Sequence, residues 1–210
     1  MTLDFVTSQE SSDEDPRLAA IAVLAEQTRR LMDAIVQTDV GEDEVTAVTA
    51  ELAALTERLR AAQRAEPYPH EIGPDGAFRH VGNAVTGICN PYALPLMPEI
   101  FPGGSARAEL EFRLVHEGPP GGVHGGVSAM VLDHLLGISV GAAGRAAMTG
   151  TLSLRYIRPV PYGEPLTSTA EIGRTEGRKT WAHGRIAAAD GTVLVEATGL
   201  FITPAAWVTG

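Results

Sequence analysis

The feature that most constrains the fold is a run of 22 residues that is apolar on nearly every side. It reads VHGGVSAMVLDHLLGISVGAAG and spans residues 123–144. A helix formed by these residues has no broad polar face to turn towards water, so it has to be buried within the fold. Other elements of the chain must therefore surround it.

Strand patterns lie on both sides of this run. Before it, residues 106–114 alternate apolar with charged side chains, which is the period of a strand with one buried face. After it, four runs are strand-like, and a turn at Asp190-Gly191 separates the last two: residues 149–157, 166–174, 180–189 and 193–202. A strand, a buried helix and then strands joined by short turns predict an α+β fold, in which an antiparallel sheet wraps around one helix.

The chain before residue 105 divides into three segments. Residues 1–15 are polar and acidic, which predicts a flexible tail. Residues 16–64 predict a helical hairpin, whose apolar stripes would pack against each other, the main domain or a partner subunit. The second stripe advances in alternating steps of three and four residues: Val45, Val48, Leu52, Leu55 and Leu59. Residues 65–104 are rich in Pro and Gly and look strand-like only at 84–88, which leaves 105–210 for the sheet and its helix.

Charge and composition exclude several classes of function. A net charge of −10 argues against general affinity for nucleic acid, which depends on neutralising phosphates. The single cysteine, Cys89, excludes an internal disulfide and the paired-cysteine zinc motifs. No uninterrupted apolar run approaches the length of a membrane span, and the first residues lack the pattern of a secretory signal. We therefore expect a cytoplasmic protein without a membrane span.

The candidate chemistry centres on an aspartate within the apolar run. Motifs for a serine nucleophile elbow, a zinc-binding HExxH and a phosphate loop are absent from the sequence, and no metal site is predicted. Asp133 is costly among apolar neighbours unless it is paired or has a chemical role. Gly125 and Gly126 stand where the helix begins, so their backbone N–H groups could stabilise a developing oxyanion. On the residues alone, an ion pair or a solvated edge remains an equal explanation for Asp133.

The same residues resemble the signature of hotdog-fold acyl-CoA thioesterases of the PaaI and THEM-like type. The pattern V-H-G-G-x-x-x-x-x-x-D covers Val123 to Asp133, and TGTLSLRYIRP from Thr149 to Pro159 is similar to the strand that follows the helix in that family. GRKT at 177–180 and DGTV at 190–193 are similar to its later hairpin. The resemblance extends from about residue 90 to residue 204.

The resemblance implies a role for each matched residue. Asp133 would act as general base or nucleophile, the Gly125 amide would polarise the thioester carbonyl, and Thr149 would orient water. His124 would help to shape the site or would merely cap the turn. Many relatives carry an asparagine a few residues before the HGG, whereas this chain has EGPPGG at 117–122 in that region. We therefore expect a second polar contact of the family to be missing.

The implied substrate is an acyl-CoA, with no separate cofactor because CoA is part of the substrate. Arg158, Arg178 and Lys179 are the candidates to receive its phosphates, although solvated arginines are common. Gly125 and Asp133 are too far apart on one helix to meet one carbon, so a homo-oligomer with shared sites is expected, either a dimer or a dimer of dimers. A noncatalytic acyl-CoA-binding protein is the alternative function, and a hotdog dehydratase fits the motif less well.

Overall fold

The computed structural model describes residues 15–69, 71–72 and 78–207. Apart from Asp15, the predicted acidic tail lies outside these residues. The chain forms three α-helices and eight strands within the described part. Two helices come first, a Pro- and Gly-rich segment follows, and the remaining residues build the sheet and its central helix.

The two N-terminal helices are α1, Pro16–Gln37, and α2, Glu42–Arg60. Asp15 caps α1 by accepting a hydrogen bond from the N–H of Arg17, and a proline at the first helical position lacks the N–H that would otherwise be unpaired there. The predicted N-terminal helical extension is thus confirmed. The two helices differ in how they contact the rest of the chain.

The helix α1 is anchored to the body of the protein by polar contacts. Its Arg29 is buried and donates to the carbonyl of Asn90 at 2.8 Å, and its Asp33 pairs with Arg113 at 2.9 Å. The buried thiol of Cys89 lies 3.5 Å from the carbonyl of Leu18, and burial raises its pKa, which keeps it protonated. The helix α2 has no buried residue.

Between α2 and residue 105, the residues that the structure describes form turns and three very short strands. These are β1, Glu71–Ile72, β2, Phe78–Arg79, which pairs with β1, and β3, Glu99–Ile100. The expected strand at 84–88 is wrong, because these residues form turns. The side chain of Asn83 accepts hydrogen bonds from the N–H groups of Val85 and Thr86, and this local pairing replaces a strand ladder.

The main sheet has six antiparallel strands in the order β3-β4-β6-β7-β8-β5. Its longer strands are β4, Ala106–Glu111, β5, Met148–Tyr156, β6, Pro165–Glu176, β7, Lys179–Ala188, and β8, Val193–Ile202. Gly191 has a φ of 85° in the turn between β7 and β8, a conformation that favours glycine. Among residues 15–69, 71–72 and 78–207, the strand β5 pairs with β8 alone, so its other edge has no partner strand there.

The apolar run forms the central helix α3, Gly125–Ala142, on the inner face of this sheet. Leu132, Leu135 and Leu136 are buried in the core together with side chains from β4, β6, β7 and β8. The strand predicted over 106–114 ends at Glu111, because Leu114–His116 forms a short 3-10 turn. The α+β class and the hotdog fold are confirmed.

The same helix is the one in the described chain that has the length and composition of a membrane span. Its 18 residues have a mean hydropathy of 1.3, and 39% of them are buried in the structure. This hydropathy is expected for α3, because it packs its apolar residues against the sheet.

Candidate active site

The candidate site is built where α3 faces the first residues of β5. The Thr149 hydroxyl donates a hydrogen bond of 2.9 Å to Oδ1 of Asp133. Asp133 is half-buried, next to the fully buried Leu132 on the same helix. The other carboxylate oxygen, Oδ2, has no hydrogen-bond partner in the described part of the chain. Asp133 therefore retains an acceptor that could bind or activate a water molecule.

The start of α3 presents one available backbone donor. His124 is the N-cap residue, and its Nδ1 accepts a hydrogen bond of 3.0 Å from the N–H of Gly126. The N–H of Gly125 has no acceptor among the residues that the structure describes. Of the two glycines proposed from the sequence, only Gly125 therefore has a free amide for an oxyanion.

The same hydrogen bond shows which of its two proposed roles His124 has within the chain. Its Nδ1 lone pair is used to accept from the helix, which is the capping role that the sequence left open. A direct contribution of His124 to the shape of a substrate site stays a prediction.

Tyr156 is a site residue that the sequence analysis missed. Its hydroxyl donates to the carbonyl of Gly125 at 2.8 Å. A Cβ at position 125 would lie 3.0 Å from the tyrosine ring, so the two residues fit closely only because position 125 is glycine. This contact ties the last residue of β5 to the first turn of α3. The sequence placed Tyr156 on the apolar face of a strand, whereas the structure leaves it 53% exposed.

The two halves of the candidate site lie apart within one chain. Gly125 and Asp133 are eight residues apart on α3, which corresponds to about 12 Å along the helix axis. Thr149 at one end of β5 contacts Asp133, and Tyr156 at the other end contacts Gly125. The carboxylate and the free amide of one chain therefore cannot act on the same carbonyl group.

The three candidate phosphate ligands also divide between the two ends of the sheet. Lys179 of β7 and Met148 of β5 both lie opposite Ile202 of β8, so Lys179 is at the Met148 end of β5. The neighbouring Arg178 donates to the carbonyl of Thr203. Arg158 donates instead to the carbonyl of Val193, beyond the other end of β5. Arg178 and Lys179 thus belong to the Asp133 end, and Arg158 belongs to the Gly125 end.

A cavity lies elsewhere, on the outer face of the sheet. Its volume is about 570 Å³, and none of the predicted site residues lines it. Residues that line it include Arg107, Thr169, His183, Arg185 and Glu196. Within the described ranges, no three His, Cys, Asp or Glu side chains lie close enough together to hold a metal ion.

His134 follows Asp133 in the sequence but makes a different contact. Its Nε2 lies 3.2 Å from the hydroxyl of Thr86, in the turn that covers α3. Burial lowers its pKa, and the neighbouring Asp133 opposes this effect. His116 also has a lowered pKa, because of burial and the charge of Arg113. Both histidines therefore favour the neutral form in the folded protein.

These lowered pKa values predict that the protein loses stability in mild acid. The unfolded chain binds the two protons near pH 6.5, whereas the folded protein binds them only at lower pH. The free energy of unfolding therefore carries no loss from these two histidines above about pH 6.5, and it falls as the pH drops below that value. For His134→Gln we expect the free energy of unfolding to depend less steeply on pH, by at most about 1.4 kcal/mol per pH unit. Denaturant unfolding at pH 7.5 and 5.5 measures this difference.

His183→Gln is the matched control for this prediction, because His183 is exposed on the outer face of the sheet. We expect it to keep the slope of the unchanged protein. Identical slopes in the unchanged protein and His134→Gln would contradict the proposed effect of burial on His134.

Comparison with known proteins agrees with the hotdog fold described above. A family model described as "Thioesterase superfamily" matches residues 120–195. A crystal structure described as a thioesterase superfamily protein is 35% identical, with a TM-score of 0.78, and the match covers 96% of this chain and all of that chain. A hypothetical thioesterase from Streptococcus pneumoniae, solved with coenzyme A, is 18% identical with a TM-score of 0.50 over 52% of this chain and 88% of its own, which shows the fold alone.

Several curated relatives are named acyl-coenzyme A thioesterase THEM4. The protein from Bos taurus is 37% identical over 87 residues, which are 41% of this chain and 35% of that protein. The protein from Xenopus laevis is 36% identical over 87 residues, which are 41% of this chain and 39% of that protein. The matched region thus spans little more than a third of these relatives. The full-length structural match at 35% identity establishes the family, and the chain belongs to the thioesterase superfamily.

Proposed function

We propose that this protein hydrolyses acyl-CoA thioesters to a free acid and CoA. The observation that carries the proposal is the hydrogen bond between Thr149 and Asp133, which holds a carboxylate on the central helix of a thioesterase-superfamily fold. The name of the curated relatives, acyl-coenzyme A thioesterase, supports the choice of CoA as the thiol. A structural neighbour solved with coenzyme A is consistent with it.

In this mechanism Asp133 acts as general base or as nucleophile. As a base, it takes a proton from a water molecule whose oxygen attacks the thioester carbon. As a nucleophile, its own oxygen attacks and forms an anhydride, which water then hydrolyses. In both routes the carbon–sulfur bond breaks, and the CoA sulfur leaves as a thiolate that takes up a proton. Thr149 fixes Oδ1, so Oδ2 is the oxygen available for the reaction.

The amide that stabilises the oxyanion comes from a second copy of the chain. A donor must lie about 3 Å from the oxyanion, and Gly125 of the same chain is about 12 Å from Asp133. Two chains related by a two-fold axis would meet at the free edges of β5 and bring Gly125 of one chain to Asp133 of the other, twice. The same symmetry brings Arg158 of one chain towards Arg178 and Lys179 of the other.

The three basic residues brought together by this symmetry give the proposed site positive charge at its edge, on a protein with a net charge of −10. CoA carries several phosphate charges, which need local cations because the whole protein repels them. Arg158, Arg178 and Lys179 are therefore proposed phosphate ligands in a site shared between two chains. A dimer or a dimer of dimers satisfies this geometry, and a cytoplasmic location stays a prediction.

The proposal is tested by hydrolysis of short, medium, long and aromatic acyl-CoAs, followed through release of the free CoA thiol. We expect turnover of at least one chain-length class by the unchanged protein and little by Asp133→Asn. Tight binding of acyl-CoA without release of thiol across the panel would overturn the hydrolase proposal and would indicate an acyl-CoA-binding protein.

Thr149 should contribute less than Asp133. Thr149→Ala removes the hydroxyl that donates to Asp133, and we expect a loss of about tenfold in kcat, since orientation of one group contributes less than the base itself. Thr149→Ser keeps the hydroxyl and should keep most of the activity. Equal kcat values for Thr149→Ala and the unchanged protein would make Thr149 an ordinary strand residue.

A further inference from the structure

The helix α2 carries an apolar stripe that the described residues of its own chain leave largely uncovered. Its stripe residues Val45, Leu55 and Leu59 keep 45%, 47% and 60% of their surface exposed, and no residue of α2 is buried. Most of the stability of a helix in a protein comes from the packing of its apolar face, not from helix propensity. The described residues therefore leave the stripe open to a further surface.

The spacing of the stripe indicates that this surface is another helix. Val45, Val48, Leu52, Leu55 and Leu59 follow one another in steps of three, four, three and four. This is the a and d pattern of a coiled-coil seam, whose period of 3.5 residues lets two helices interlock along their length. A helix that packs on a sheet has a broader apolar face. The seam runs for about 21 Å, or two heptads.

The charges of α2 favour a second copy of the same helix in the opposite direction. Its first turn contains Glu42, Asp43 and Glu44, and its last turn contains Arg58 and Arg60. In an antiparallel pair the acidic end of each helix lies beside the basic end of the other. In a parallel pair, like charges meet at both ends. Two-fold symmetry makes the antiparallel contact self-complementary.

We propose that α2 pairs with α2 of a second copy of this chain as an antiparallel two-helix coiled coil. Two heptads bury less surface than a stable protein interface requires. The pair therefore acts together with another contact between the same chains, where a high effective concentration favours a short seam. The proposal does not depend on the proposed function, since no residue of α2 belongs to the candidate site.

A spin-label distance measurement on the full-length protein tests the pairing. A label on Ala50→Cys lies on the exposed outer side of α2. The native Cys89 is buried, and labelling of the unchanged chain measures how far it reacts. Paired helices lie 8–10 Å apart, so we expect a narrow distribution of distances below about 30 Å. Leu52→Glu/Leu55→Glu places charges in the seam and should abolish this short distance.

Ala47→Glu/Ala54→Glu is the matched control, because it adds the same charges to exposed positions outside the stripe. It should keep the short distance. Absence of any distance below about 30 Å in the labelled protein would overturn the proposal and would mean that another surface covers the stripe. A short distance that survives Leu52→Glu/Leu55→Glu would also overturn it, since the seam would then not hold the helices together.

Charge reversal tests the direction of the pair. Glu44→Arg alone and Arg58→Glu alone place like charges together in an antiparallel pair, so each should reduce the short-distance population. The double variant restores opposite charges and should regain that population. The helix dipole alone predicts the opposite result for the double variant. Each substitution destabilises α2 itself, so without the pair the two losses should add. A double variant no better than either single variant would exclude the antiparallel pair.

Discussion

Asp133→Asn is expected to lower kcat for acyl-CoA hydrolysis by roughly 10² to 10⁴, the usual contribution of a positioned general base. Asparagine has the shape of aspartate and can still accept the Thr149 hydrogen bond through its side-chain oxygen. It lacks the charge that activates water or attacks carbon. The substitution therefore removes the chemistry and leaves the contact between α3 and β5 in place.

The stability of the same variant provides the control. Asp133 is half-buried and lies outside the hydrophobic core cluster, so we expect unfolding midpoints close to those of the unchanged protein. The KM for acyl-CoA should change little, because the proposed phosphate ligands remain. A folded Asp133→Asn protein with unchanged kcat would show that another group carries the reaction.

The fold was largely predictable because its longer strands alternate with a period of two and α3 is apolar on nearly every side. The last strand, β8, matches the predicted residues 193–202, since alternating side chains and the Asp190-Gly191 turn define it. The strands β1, β2 and β3 have two residues each, too few to show a period of two. The error at 84–88 has a local cause, because the side chain of Asn83 pairs with the backbone and forms a turn.

The candidate site was less predictable, because its contacts join residues that are distant in sequence. Asp133 stood out as a charge in an apolar run, but its partner Thr149 was proposed only through a family resemblance. The contact between Tyr156 and Gly125 depends on how β5 crosses the start of α3, which periodicity does not reveal. The sequence also could not show that His124 would occupy the amide of Gly126 and leave that of Gly125 free.

The shared site predicts that two inactive chains can restore each other. Gly125→Pro removes the free amide, and proline is tolerated at the first position of a helix. Asp133→Ala removes the carboxylate. In a mixed dimer the Asp133 of the first variant meets the Gly125 of the second, so one of the two sites is intact. The other site carries both defects.

Gly125→Ala controls for the shape of the proline variant. Any Cβ at position 125 lies 3.0 Å from the Tyr156 ring, so both substitutions push against that ring. Only proline removes the N–H. We therefore expect kcat to fall further in Gly125→Pro than in Gly125→Ala, by about 10² if the amide stabilises the oxyanion. Equal losses in both variants would assign the effect to the contact with Tyr156.

The activity of the mixed variants is the most direct measurement of the proposed mechanism. Asp133→Ala and Gly125→Pro chains are unfolded together in equal amounts, refolded, and assayed for release of CoA thiol, with the fraction of mixed dimers determined by native mass spectrometry. Random pairing makes half of the dimers mixed with one active site in two, so we expect about a quarter of the unchanged activity. Verified mixed dimers without recovered activity, or full activity in an isolated monomer, would contradict the shared site.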